Sequence, residues 1–250
     1  KTFKFYQADL AEENELNKVI LQIKNLDKID VLINNAGALF LKREVNSKGI
    51  EKTFAVNYLS HFYLTISLID LIKKTKNFRL VNISSMVHKF AKLNLNDMNF
   101  SKNYNGYVAY FNSKLMNLLF SYKINRIYYN YINCYAIHPG WLNTNFGSNN
   151  QSNIRHLLYI VNALKIDEAL SYFPKGAVII NFLLNFVKDK FAKKPSYVAD
   201  EIYNIRTAQE YLNYSGKYFV KNNITKSSDL SYREDLQDEL WEKSLKMINM

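Results

Sequence analysis

Three prolines and seven glycines are few for 250 residues, and none gathers into a Gly/Ser-rich or Pro-rich run, so no stretch behaves as a flexible linker. No repeat period is apparent either, which excludes a solenoid or propeller. One domain spanning 1–250 is therefore expected, and with 48% apolar residues such a chain can bury one good-sized core. The single cysteine, Cys134, excludes an internal disulfide and points to a reducing, intracellular compartment; set inside Ile132–Ile137, it reads as core. Four histidines (His61, His88, His138 and His156) show no ligand spacing, so no metal is expected. Acidic residues are outnumbered, 22 against 33 basic, leaving a net charge of +11. The lysines are spread along the chain with an excess of Asn, Ile, Tyr and Phe, a bias of AT-rich coding sequence. They read as a solvated surface rather than a nucleic-acid footprint, with a membrane or anionic-ligand role as the lesser alternative.

What is present alternates strand and helix. Phe3–Leu10 reads as a strand, Glu12–Ile23 as an amphipathic helix, Ile29–Ile33 as a short buried strand, and Ile50–Lys74 as a long helix apolar nearly all round. That helix approaches the length of a membrane span, but His61 and Asp70 interrupt it and its place in the alternation favours a buried or dimer-interface helix. Phe78–Ser84 and Tyr131–Ile137 follow as strands on either side of a helix at Tyr107–Tyr128. Beyond Trp141 the pattern is irregular until a helix near Tyr197–Glu210 and a last strand at Lys217–Val220. The alternation predicts a doubly wound (Rossmann-type) α/β fold, a mostly parallel sheet with helices on both faces. Ligands bind such sheets at the carboxyl ends of the strands. Asp9, Asn34 to Gly37, Ser84-Ser85 and Pro139-Gly140 each follow a strand, and are expected along that edge.

Tyr110 and Lys114 lie four apart on a helix and so share a face. A phenol of pKa about 10 needs a cation nearby to serve as a base at neutral pH. Alone this spacing says little in a chain with 19 tyrosines. Ser85, at a strand end, can donate to a substrate oxygen, although Ser-Ser pairs are also ordinary turn chemistry. Asn57 is a polar residue in an apolar helix, where the plain alternative is a satisfied buried amide.

Taken in order, Asp9-Leu10, Asn34-Asn35-Ala36-Gly37, Val56-Asn57, Asn82-Ile83-Ser84-Ser85, Tyr110-Phe111-Asn112-Ser113-Lys114 and Pro139-Gly140 with Thr144 resemble the successive motifs of the short-chain dehydrogenase/reductase family. Lys114–Phe120, His138-Pro139-Gly140, Ser215–Phe219 and Leu240-Trp241-Glu242 are similar to its retinol dehydrogenase-like branch, as is the gap of 25 positions from Ser85 to Tyr110. The resemblance implies hydride transfer between a nicotinamide and a carbonyl or alcohol. Tyr110 would be the acid/base, Lys114 would hold the ribose hydroxyls and lower the phenol's pKa, Ser85 would polarise the substrate oxygen, and Asn57 would anchor a relay water. Asp9 and Leu10 would meet the adenine, Asn34, Ala36 and Gly37 the adenosine half, and Pro139, Gly140 and Thr144 the carboxamide end.

The same resemblance implies NADP in preference to NAD and a lipophilic retinoid-, steroid- or aliphatic-type substrate recognised through the variable region 147–196. It is compatible with a cytoplasmic location or with peripheral association on the cytoplasmic face of an internal membrane, and with a homodimer. One family feature is missing: the seven glycines contain no G-x-G-x-x-G turn for the pyrophosphate. With Lys1 opening mid-strand, the chain reads as a fragment lacking about 50 residues at its front, roughly one and a half strand–helix units. An unpaired sheet edge, weak cofactor binding and an unjudged leader are then expected. Two other readings stand beside the enzyme: a non-catalytic cofactor-sensing or interaction protein on the same fold, and an inactive truncated gene product.

Overall fold

The computed structural model describes residues 4–140 and 195–249. Lys1–Pro139 with Glu201–Met250 make one compact unit and Gly140–Asp200 a second. In the first unit five strands lie in sequence order: β1 (Val31–Asn34), β2 (Phe78–Ile83), β3 (Ile132–His138), β4 (Lys217–Val220) and β5 (Asn223–Ile224). The first four run parallel, with Ile33 opposite Val81, Val81 opposite Tyr135 and Ile137 opposite Phe219; only β5 turns back antiparallel on β4.

Every residue of β2 is buried, the mark of a strand covered on both faces. On one face Val81, Ile83, Tyr135, Ile137 and Phe219 pack with Ile205 and Tyr211. Arg79 closes that face by donating to the Ile205 carbonyl (2.6 Å) and the Ala208 carbonyl (3.1 Å), both near the end of a helix at Pro195–Thr207. On the other face Ala136 and Tyr218 meet Leu118 of the long helix Gly106–Ile127. The architecture is the doubly wound α/β fold that the alternation predicts.

Two sequence expectations are corrected. Residues 4–10 form no strand, and Phe5 is 86% exposed. Extended backbone becomes a strand only when a neighbour supplies the ladder, and among the described residues nothing pairs with it or with the outer edge of β1. The long helix of 50–74 is broken: after α2 (Lys52–Phe54) comes a π-helical turn at Ala55–Leu59, then α3 (Ser60–Ser67) and α4 (Ile69–Lys73). Its all-round apolarity has the expected cause, a buried position. Phe62 is fully buried, meets Phe120 edge-on (5.4 Å between centroids) and meets Trp241 likewise (5.1 Å).

Of the helices, α1 (Glu13–Lys24), α5 (Gly106–Ile127) and α6 (Pro195–Thr207) fall close to their expected places. The terminal helix α7 (Glu234–Met247) is unanticipated, because its buried stripe contains Gln237 and Ser244 beside Leu240 and Trp241 and so hides its period. Among the described residues no helix is long and apolar enough to cross a membrane. Nearly all of 147–196, and Thr144, lie outside the described residues.

Helix α5 starts against backbone. Asn105 caps it, accepting from the amides of Tyr107 (3.0 Å) and Val108 (3.2 Å). A Cβ on Gly106 would fall 2.2 Å from the Phe40 carbonyl oxygen and 2.9 Å from the Leu41 Cα. Gly106→Ala is therefore expected to lower unfolding free energy by about 1–3 kcal/mol, the usual cost of overpacking. The check is the urea midpoint; an unchanged midpoint would mean the Phe40 loop yields freely.

Candidate active site

The carboxyl ends of β1, β2 and β3 lie along one sheet edge, as parallel pairing requires. From β2, Ser84 continues the ladder by donating its amide to the Ile137 carbonyl (2.8 Å), while its hydroxyl donates to the Lys114 carbonyl (2.8 Å). That bond fixes α5 against the strand end at the residue carrying the ammonium. Ser85 follows with extended backbone (φ −158°) and caps a short 3₁₀ turn, Met86–Phe90, its hydroxyl oxygen accepting from the Val87 amide at 3.5 Å. A hydroxyl used there only as an acceptor keeps its proton for donation elsewhere.

Lys114 is 3% exposed. Its Nζ donates to the Ile83 carbonyl (3.2 Å), which also receives the Asn117 amide (3.2 Å), and it lies 5.5 Å from the centroid of the Tyr110 ring. Gly37 is where the β1 loop comes nearest: a Cβ added there would sit 3.4 Å from Lys114 Nζ and 3.5 Å from Asn57 Oδ1. Burial alone pushes the ammonium down to about 8. Burial also raises the Tyr110 phenol above its ordinary 10, the opposite of the depression the resemblance implies. The cation lies over the ring face, and its pull on the phenol does not outweigh desolvation of the hydroxyl.

Asn57 occupies the π-helical turn, whose wider winding is shown by the Ser60 amide reaching back five residues to the Ala55 carbonyl. Its amide is completely engaged: Oδ1 accepts from the Ala38 amide (2.7 Å), and Nδ2 donates to the Ala38 carbonyl (2.9 Å) and the Ser113 hydroxyl (3.0 Å). Asn57 thus ties the Gly37–Ala38 loop to α5. Asn34 is placed differently from a ligand-facing residue. It is buried, its Nδ2 donating to Asn82 Oδ1 (2.8 Å) and Thr65 Oγ1 (3.2 Å), so the exposed part of that loop is Asn35 and Gly37, with Ala36 half-buried between them.

Asp9 makes a local turn with the Ala11 amide (2.8 Å) through Oδ1, and Leu10 leads from it into α1. Pro139 ends the β3 edge, and Gly140 adopts φ +83°, a conformation that favours glycine. Among the described residues no group of three His, Cys, Asp or Glu gathers as a metal site. Three residues organise the site without having been given a role from the sequence: Ser84, expected only as part of the strand-end edge, Ser113 and His88. The first two were visible as neighbours of Ser85 and Lys114; His88 carried a signal too, an imidazole three residues past a strand-end serine.

A family model described as short chain dehydrogenase matches residues 1–155. Human polyprenol dehydrogenase (Homo sapiens) is 29% identical over 252 residues, covering 97% of this chain and 68% of that protein. Mouse retinol dehydrogenase 13 (Mus musculus) is 30% identical over 248 residues, covering 98% and 67%. Among solved structures, an NADPH-bound carbonyl reductase from chicken fatty liver superposes with a TM-score of 0.55 at 15% identity, over 89% of this chain and 76% of that one. A 3-alpha-hydroxysteroid dehydrogenase from Pseudomonas sp. B-0831, complexed with NADH, does so with 0.58 at 14%, over 86% and 80%. At such identities these two structures speak to the fold.

Proposed function

Because the chain belongs to the short-chain dehydrogenases, we propose that it is an NAD(P)-dependent oxidoreductase interconverting an alcohol and a carbonyl, with Tyr110 moving the proton. The observation that carries the assignment is the Lys114 ammonium, a buried cation with three donors and one hydrogen bond, set beside Gly37 and the Tyr110 ring. Such a group is costly until acceptors meet its remaining donors, and paired ribose hydroxyls are acceptors of that kind. A nicotinamide bound there supplies the hydride. Asp9, Asn35, Ala36 and Gly37 suit the adenosine half, while Pro139, Gly140 and Thr144 suit the carboxamide end. The sequence has no G-x-G-x-x-G spacing for the pyrophosphate.

The protein's own part is placement and a proton. Ser85 donates its free O–H to the substrate oxygen. Tyr110, held protonated by burial, gives its proton to a carbonyl undergoing reduction and is left as the phenolate; in the oxidative direction the phenol must first lose its proton to solvent before the phenolate takes one from the alcohol. Asn57 holds the Gly37–Ala38 loop in place beside Lys114. A lipophilic substrate is supported by the polyprenol and retinol named for the two relatives and by the apolar, aromatic character of the sequence Trp141–Val187. Such a substrate, with a net charge of +11, favours peripheral association with the anionic cytoplasmic face of an internal membrane.

Titration with NADPH and NADH, followed by nicotinamide fluorescence, is the direct test. Saturable binding, tighter for NADPH, is expected. A folded protein that binds neither dinucleotide would remove the enzymatic reading and favour an interaction protein on the same fold.

A further inference from the structure

His88 has no part in the mechanism above, yet it is 1% exposed and both its ring nitrogens are engaged. Nδ1 lies 2.5 Å from the carbonyl oxygen of Ser85, and Nε2 lies 3.0 Å from the backbone nitrogen of Ser228. The partners settle the tautomer. A peptide N–H can only donate, so Nε2 must accept; a carbonyl can only accept, so Nδ1 must carry the proton. The ring also meets Tyr218 of β4 edge-on, with centroids 5.3 Å apart. Behind Ser228 the segment is itself held. Ser227 Oγ bonds Tyr122 Oη (2.7 Å) on α5 and Ser231 Oγ (2.7 Å), and Gln237 of α7 donates to the Ser231 carbonyl (3.0 Å).

We propose that His88 is a positioning residue for Ser85, a neutral Nδ1–H imidazole that clamps the Ser85 peptide to the Ser227–Tyr232 segment and so sets the direction of the substrate-facing hydroxyl. The inference rests on the dehydrogenase reading for its consequence and on hydrogen-bond chemistry for its geometry. Ser85 otherwise has only the long 3.5 Å contact to the Val87 amide to orient its side chain. A second proton on the ring would set one donor against another at Ser228 and release the clamp. The charged and titratable groups around the ring oppose that proton: Lys89 on the same turn, and His138 at the end of β3. The Ser85 carbonyl favours it, and burial, the largest effect, opposes it.

Three variants separate positioning from bulk. His88→Phe keeps the ring contact with Tyr218 and removes both hydrogen bonds; His88→Asn keeps a donor for the Ser85 carbonyl alone; Ser228→Pro removes the N–H that Nε2 accepts, at a position whose φ of −70° suits proline. With decanal and NADPH, kcat for His88→Phe is expected to fall about tenfold or more, with NADPH affinity within about twofold of the parent. His88→Asn should recover most of kcat while its melting temperature stays low. Ser228→Pro should move the acid limb of kcat/KM to higher pH, since the hydrogen bond it deletes favours the neutral ring. Folded His88→Phe protein with parental kcat, or an unmoved limb in Ser228→Pro, would overturn the proposal.

One readout stands apart from turnover. Nitrogen-15 chemical shifts of the His88 ring at pH 7 should show a protonated Nδ1 and a bare Nε2. The reverse tautomer, or a ring averaging between the two, refutes the clamp whether or not decanal is reduced; a parent that holds the tautomer but reduces no carbonyl refutes the dehydrogenase reading instead.

Discussion

Tyr110→Phe is expected to lower turnover by about 10²–10⁴-fold, the range for losing a positioned acid/base, which corresponds to roughly 3–5 kcal/mol of transition-state stabilisation. The phenyl ring retains the face over which Lys114 Nζ sits, 5.5 Å from the centroid, and Lys114 keeps its bond to the Ile83 carbonyl. Dinucleotide affinity should accordingly stay within about threefold of the parent, and the loss should appear in kcat and kcat/KM alike. Near-parental turnover would take Tyr110 out of the mechanism. Its state also gives a direction. With the phenol raised by burial and the ammonium brought to about 8, the acid form is the one present at neutral pH, and it is the form that serves carbonyl reduction.

Acid should unfold this protein steeply, because three of its histidines are buried neutral. His61 is pushed down to about 3 by burial and by the nearby Lys114 charge, and His138 to about 4 by burial with His88 and Lys221. His88 is lowered in the same direction, chiefly by burial. In the unfolded chain all three take up protons near pH 6.5. A depressed pKa means the unfolded state binds the extra proton, so this stability is fully present above about 6.5 and is lost as pH falls from there toward the folded values. His61 and His138 each contribute about 1.4 kcal/mol per pH unit within their windows, so the pair approaches about 3 kcal/mol per unit between about pH 6 and 4, and His88 acts in the same direction. Lys114 adds nothing in that range, being protonated in both states below about 8. Against a typical stability of about 5–15 kcal/mol, a large share is lost by about pH 4. Urea midpoints at pH 7, 6 and 5 measure it, and His61→Leu should flatten the slope by about one histidine's share. A midpoint constant from pH 7 to 5 would show that these rings are hydrated in solution.

The residues that made the family legible, Asn57, Ser85, Tyr110 and Lys114, were readable because they stand in the order and spacing of the family's motifs, near strand ends and, for the last two, one helical turn apart. What escaped is what tertiary structure decides. Whether residues 4–10 pair depends on a neighbour strand, which no property of Phe3-Lys4-Phe5-Tyr6 encodes. The π-helical turn leaves no local signature, since Ala55–Leu59 has the composition of any apolar helix; it became visible only when the Ser60 amide was traced to Ala55. Asn34 looked available to a ligand as part of an Asn-Asn-Ala-Gly loop, but its amide completes a buried ladder with Asn82 and Thr65. In α7 the polar residues Gln237 and Ser244 face inward because each has a partner waiting, the Ser231 carbonyl and the Tyr58 hydroxyl.

That last contact joins residues 186 positions apart, Tyr58 Oη and Ser244 Oγ at 2.8 Å. A ribosome adding about 5–20 residues per second takes roughly ten to forty seconds to travel between them. Phe62 through most of that interval, and Phe120 from the time it is made, have no cover from α7, whose Trp241 later seals them. Until α7 arrives, that aromatic face is exposed apolar surface of the kind that makes incomplete chains prone to aggregate.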